Sequence, residues 1–316
     1  MLTKNTVQID GRGATLVAGL GAYSLADTLE CGQVFRFEKK EHSPVLLSEY
    51  VVTLPGIIVD VGQITAGELL FFGEYTEEEW ARIEEFFSLG RDLEKIKRDV
   101  IAHTDSEWLK SAAEYAGGIA ILTQDPWETL VSFIISQNNN IPRIKKIIKQ
   151  ICIEYGVNLS LHGEGEQKCP LGLCSGTPCQ EKCRTCGVCY TFPSAEDILN
   201  NPEKLLPSRP GFRYSYILDA AEKVATGVLD LAMIKKRGKY EYTLEMLKAV
   251  RGVGDKVASC CALFAFSNLE AFPIDVWMKR AIDTYFDGKL DPATLGSYAG
   301  VAQQYIFHYI RSLATV

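Results

Sequence analysis

No run of apolar residues here approaches the ~18 that a bilayer-spanning helix needs, and the opening MLTKNTVQID contains no hydrophobic signal core. The expectation is a cytoplasmic protein without membrane contact, associated with the nucleoid if its source is prokaryotic. Internal repeats and low-complexity tracts are missing too, which removes solenoid and fibrous architectures. Excess positive charge is also lacking: 33 Lys and Arg against 40 Asp and Glu leave a net charge of −7. The chain as a whole therefore advertises no polyanion partner. A local basic face is enough for nucleic acid, however. Residues 141–150 carry Arg143, Lys145, Lys146 and Lys149 without an acid, whereas Glu77, Glu78 and Glu79 stand together elsewhere. The charge is segregated, so that class stays open.

What is present describes a folded chain. Hydrophobic residues make up 47% and charged residues 23% of its 316 residues, an ordinary globular balance on a length that predicts two or three packed units. Six of the ten cysteines (Cys169, Cys174, Cys179, Cys183, Cys186, Cys189) crowd into CPLGLCSGTPCQEKCRTCGVC. In a reducing compartment such a group suits a metal better than disulfides. Cys179, Cys183, Cys186 and Cys189 form the candidate set for a structural zinc, with iron–sulfur ligation, disulfides or free thiols as alternatives.

Residues 1 to about 75 alternate Val, Ile, Thr and Phe with glycines. VFRF, VLLSEYVVTL and GIIVDV read as short strands joined by tight turns. From TEEEWARIEEFF onward the period is helical, with Trp80, Ile83, Phe86 and Phe87 on one face and acids in the first turn. DPWETLVSFIISQ is a marked helix start: Asp125 caps, Pro126 opens, and Glu128 can complete a capping box. Asn138, Asn139 and Asn140 then read as a turn before a second helix, PRIKKIIKQICIEY. Residues 157–190 look like an insertion, and helical patterns resume to the end. The fold class expected is α+β: a small N-terminal antiparallel β-rich domain with flanking helices over 1–118, then an all-helical body over 119–316 that carries the insertion.

YTLEMLKAV–RGVG–DKVASCCALFAF reads as helix, glycine turn, helix. Gly252 and Gly254 permit backbone angles closed to other residues and leave N–H groups uncovered, a site for a DNA phosphate. Leu247, Val250, Val253 and Ala258 complete a helix-hairpin-helix pattern. Lys256 stands in the first turn of the second helix, where a lysine is ordinarily just solvated. Nineteen residues on, Asp275 precedes another helix, ordinarily as its cap. If both face one cleft, they suit chemistry at a sugar C1′: an amine to attack, a carboxylate to steady positive charge.

These residues carry a resemblance. RGVGDKVASC with FPIDVW, QDPWETLVSFIISQNNNIPRI, ECGQVFRF, PGFRYSYI and SYAGVAQQYIF follow in the order found in the 8-oxoguanine DNA glycosylase/AP lyases of the helix-hairpin-helix superfamily. The likeness runs from about residue 25 to the C-terminus, without the insertion. It implies excision of 8-oxoguanine opposite cytosine from double-stranded DNA, with Lys256 as nucleophile and Schiff-base former and Asp275 stabilising the transition state. Asn138 would fill the gap left by the extruded base, Arg143 and Arg213 would read the orphaned cytosine, and Phe212 would act as a wedge. Phe307 and Cys260 would sandwich the flipped base, Gln303 would bond its Watson–Crick edge, and the backbone carbonyl of Gly32 would accept from N7–H, which guanine lacks. Trp277 stands where some members have histidine and would lie against the DNA backbone.

Implied also are a monomer and catalysis without a cofactor. Because a neutral amine attacks, Lys256 is expected to be partly buried beside Cys260 and not paired with Asp275. Of Gln303 and Gln304, one is expected to face the site and the other solvent, while Cys261 faces the core. Two other readings use the same pattern. An alkylpurine-type glycosylase keeps the aspartate but has no hairpin lysine, and a non-catalytic DNA-binding protein needs neither residue.

Overall fold

The computed structural model describes residues 2–41, 44–159 and 189–314. Of the zinc set, Cys179, Cys183 and Cys186 lie outside the described residues, whereas Cys189 is buried. Six strands form one antiparallel sheet: β1 (Thr3–Ile9), β2 (Arg12–Ala18), β3 (Phe37–Lys39), β4 (Ser48–Leu54), β5 (Ile57–Thr65) and β6 (Glu68–Phe72), in the order β1-β2-β6-β5-β4-β3. Asp10 and Gly11 join β1 to β2 with positive φ at both residues (50° and 74°), pairing Ile9 with Arg12. That two-residue turn twists with the strands it connects.

VFRF is not itself a strand, because its neighbours are drawn into the helical body. Pairing begins at Phe37, opposite Val52. Nε2 of Gln33 donates to the carbonyls of Thr28 (2.8 Å) and Ala120 (2.9 Å), and its Oε1 accepts from the N–H of Leu122 at 2.9 Å. Arg36 pairs with Glu128 at 2.9 Å and donates to the carbonyl of Tyr190. The expected capping box at residue 128 consequently does not form. Asp125 caps the helix through the N–H of Glu128 (2.8 Å), but the Glu128 carboxylate is spent on Arg36.

The helices are α1 (Leu25–Glu30), α2 (Glu77–Phe87), α3 (Leu93–Ala102), α4 (Glu107–Ala116), α5 (Pro126–Ser136), α6 (Ile141–Tyr155), α7 (Ala195–Asn200), α8 (Arg213–Ala225), α9 (Leu231–Arg237), α10 (Tyr240–Lys248), α11 (Asp255–Ala265), α12 (Val276–Tyr285) and α13 (Ala299–Ala314). Thr76 and Glu79 make a reciprocal capping box at α2, so the acid run does open that helix. Sheet and helices share one continuous apolar core, with a satellite cluster of Ala14, Leu46, Leu70 and Phe72. Among the described residues no helix is long and apolar enough to cross a membrane.

Two packings position the site. α5 lies against α11, so the end of one faces the start of the other; α13 closes on α4 and α12. The loop after α1 is held at residues 120–124 by Gln33, which fixes the Cys31–Gly32 turn beside α13.

Candidate active site

The 254–256 stretch begins a helix whose first N–H groups have no side-chain cap. Gly254 occupies the N-cap with φ −98° and ψ −174°, an extended conformation open to any residue, and nothing lies within 4 Å of where its Cβ would stand. The expected special conformation therefore belongs to Gly252 alone, at φ +79°. A Cβ there would fall 2.3 Å from the ring of Tyr216 on α8, so Gly252 is also a packing residue. One hairpin N–H is already taken: Arg251 donates its backbone N–H to Oδ2 of Asp219 at 2.7 Å.

Lys256 is half-buried. Its Nζ donates to Oγ of Ser136 at 3.3 Å and lies 5.1 Å from the centroid of the Phe133 ring. No ion pair between Lys256 and Asp275 is found among the described residues. Cys260, one turn along α11, is buried; burial pushes its thiol above the usual range, against the pull of nearby Lys256. Cys261 is buried as well and stands outside the recess. Asp275 does cap α12, accepting from the N–H of Met278 at 2.8 Å, and its side chain also faces the cleft. The cap and the catalytic assignment are compatible, because a carboxylate has a second oxygen to offer.

A recess of about 60 Å³ collects Cys31, Gly32, Phe133, Lys256, Cys260, Asp275, Gln303, Gln304 and Phe307. It opens into a groove of about 600 Å³ along Ser136, Asn138, Ile141, Val276, Trp277 and Arg311. Gly32 takes φ +90°, and a Cβ on it would meet Ile141 at 3.4 Å and Phe307 at 3.8 Å. Those distances are ordinary contacts, so it is the positive φ, not lack of space, that favours glycine at this turn. Both glutamines are buried in the recess; neither turns to solvent, which corrects the alternation expected for them.

The residues proposed for the DNA face divide. Asn138 takes φ 48° in the left-handed region and lines the groove with Trp277. Phe212 is 53% exposed just before α8, and Val276, which lines the groove, is 81% exposed. Arg143 is exposed on α6. Arg213 is 3% exposed. It donates to the carbonyls of Gln137 and Asn138, and to Pro210 at 3.2 Å, so it holds the asparagine turn from behind. Lys145 likewise turns inward, donating to the carbonyl of Phe37 at 2.8 Å above its ring. Among the described residues no cluster of His, Cys, Asp and Glu is arranged to hold a metal.

Sequence reasoning missed Ser136, Phe133, Gln33, Asp219 and Gln304. Phe133 and Ser136 share one helix face, which was the available signal; the others are recognisable only once distant segments meet.

Residues 16–130 match the family model described as 8-oxoguanine DNA glycosylase, N-terminal domain. An N-glycosylase/DNA lyase of Saccharomyces cerevisiae is 29% identical over 279 residues, 81% of this chain and 66% of that protein, so the match spans about two thirds of the yeast relative. Among solved structures, MBOgg1 in complex with a low-affinity DNA ligand is 30% identical with a TM-score of 0.80, covering 99% of each chain. The 8-oxoguanine glycosylase/lyase of Clostridium acetobutylicum, solved with double-stranded DNA containing cytosine opposite 8-oxoG, is 29% identical with a TM-score of 0.78 over 99% of this chain and 98% of that one.

Proposed function

The chain belongs to the 8-oxoguanine DNA glycosylase family, and from that membership we propose that it excises 8-oxoguanine opposite cytosine from duplex DNA, with an associated lyase step. The observation that carries this reading is the meeting of Lys256 and Asp275 in one recess, with the amine on a serine hydroxyl and not on the carboxylate.

A base buried in a duplex shields its glycosidic bond, so the nucleotide turns out of the stack at a cost of a few kcal/mol. The neutral amine of Lys256 then attacks C1′ as the bond from C1′ to the base breaks. Asp275 stands beside the positive charge that develops on the sugar. Ring opening gives a Schiff base at Lys256; loss of a C2′ proton and departure of the 3′ oxygen complete β-elimination. In this reading Phe307 and Cys260 flank the flipped base, the carbonyl of Gly32 accepts from N7–H of the lesion, and Gln303 bonds its Watson–Crick edge. Undamaged guanine would set a lone pair against that carbonyl, a mismatch of roughly 1–3 kcal/mol.

On the DNA side, Asn138 enters the vacated space, Phe212 wedges the stack, and Arg143 and Arg213 read the cytosine. Gly252 and Gly254 with the open end of α11 grip a phosphate, and Trp277 lies along the backbone. The working unit is the monomer, since one chain supplies recess and groove together. The zinc reading of Cys179, Cys183, Cys186 and Cys189 rests on their spacing.

Borohydride trapping on duplexes carrying 8-oxoguanine opposite cytosine tests the nucleophile. Wild type is expected to form a covalent adduct that Lys256→Gln abolishes. An undiminished adduct with the variant, or none with wild type, overturns the proposal.

A further inference from the structure

Gln303 and Gln304 are consecutive on α13, yet both are buried in the recess, with exposures of 3% and 4%. Nε2 of Gln304 donates to Oε1 of Gln303 at 2.7 Å. Oε1 of Gln304 is enclosed and has no hydrogen-bond partner among the described residues. A buried amide oxygen without a donor is an uncompensated desolvation, and folded proteins keep few of them. Here the bare atom belongs to a side chain that lines the space proposed for the extruded base.

We propose that Gln304 is a second reader of that base, and that the two glutamines act together as one recognition edge. The bond between them fixes which end of each amide is free. Gln303 can donate through Nε2 and still accept at Oε1, which has a second lone pair. Gln304 adds its unpartnered Oε1, which is enclosed in the free protein and meets the base once the side chain turns toward the recess. The order is donor, acceptor, acceptor. It complements the Watson–Crick edge of guanine, whose O6 accepts while N1–H and the 2-amino group donate. Cytosine offers guanine the same order, so the pair stands in for the base the flipped nucleotide has left behind.

Oxidation at C8 leaves this edge unchanged. Damage is then read at Gly32 and guanine identity at Gln303 and Gln304, on opposite sides of the ring. An adenine-type base sets its N1 lone pair against the glutamine carbonyls. 8-Oxohypoxanthine keeps O6 and N1–H but has no 2-amino group, so it leaves Oε1 of Gln304 as bare as in the free protein.

This inference rests on the proposed excision of 8-oxoguanine. The test is single-turnover excision from duplexes carrying 8-oxoguanine or 8-oxohypoxanthine, each opposite cytosine, by wild type and Gln304→Met. Wild type is expected to favour 8-oxoguanine by roughly ten- to a hundredfold, the effect of one buried unmatched polar group. The variant is expected to narrow that preference to within about threefold, chiefly by slowing 8-oxoguanine removal. Equal rates on both bases with wild type overturn the inference without recourse to any variant. So does an equal loss on both bases in Gln304→Met, which would make Gln304 a prop for Gln303. Absence of 8-oxoguanine excision by wild type would instead fail the underlying function, and this inference with it.

Discussion

Nζ of Lys256 meets Oγ of Ser136 at 3.3 Å, and that same hydroxyl donates to the carbonyl of Phe133 at 2.8 Å. A serine has one hydrogen, and here it is committed, so Ser136 faces the lysine only as an acceptor. The amine is steered by one of its N–H bonds. Once deprotonated, it keeps its lone pair turned away from the serine and available for C1′.

Ser136→Ala should therefore slow adduct formation while leaving duplex affinity and folding nearly unchanged. A single neutral hydrogen bond suggests roughly three- to tenfold, read from the rate of borohydride-trapped product under single-turnover conditions. An unchanged rate would strip Ser136 of this positioning role.

The two hairpin glycines should separate experimentally. Gly252→Ala meets both a left-handed backbone and the Tyr216 ring, so it should cost about 2–4 kcal/mol in denaturant unfolding. Gly254→Ser should stabilise the protein by a few tenths of a kcal/mol, because serine caps the bare start of α11. The same cap would occupy N–H groups meant for a phosphate, so duplex binding should weaken even as stability rises. Stronger binding by Gly254→Ser would contradict the phosphate site.

Arg36 and Glu128 join the strand-bearing segment to α5, with Arg36 almost wholly enclosed. Burial pushes the Glu128 carboxyl up, and the Arg36 guanidinium opposes that rise. Arg36→Met would leave the carboxylate enclosed and unpaired, a loss of about 3–5 kcal/mol. Arg36→Met combined with Glu128→Leu should recover much of it. Equal stability of the single and double variants would show that the pair is not coupled.

Asp27, on α1 just before the Gly32 turn, lies 3.3 Å from Nε2 of His308 on α13. The hydrogen bond from His308, helped by Ser24, holds its carboxyl below the usual range. A folded value below the unfolded one contributes stability above the unfolded value of ~3.9, and that stability is lost as pH falls through the folded value. Melting temperature should accordingly drop less steeply from about pH 5 to about pH 3 in Asp27→Asn than in wild type. Parallel slopes would show that the contact does not survive in solution.

Much of the site was readable before folding because its chemistry is written locally. Lys256 follows a glycine turn and Asp275 precedes a helix, each with a motif around it. The strand–helix division was legible for the same reason, since periods of two and of 3.6 are local properties. Ser136 acquires meaning only where α5 packs on α11, and Gln33 only where its amide donates to and accepts from a loop 87 to 89 residues away. Gln304 looked like solvent-facing filler because adjacent helical positions usually diverge. A wide enough recess takes both. Lys145 differs from expectation in the other direction: a cation in a basic segment suggests an anionic partner, whereas this one lies on the carbonyl and ring of Phe37.

Arg213 is thus a brace for the groove wall. Four hydrogen bonds tie its guanidinium to the carbonyls of Pro210, Gln137 and Asn138, the turn that carries Asn138. A guanidinium has five N–H groups, so one on Nη1 is left over. Truncating this side chain would therefore loosen the asparagine turn as well as remove a donor, and a loss of activity in such a variant would report on the shape of the groove before it reported on any base.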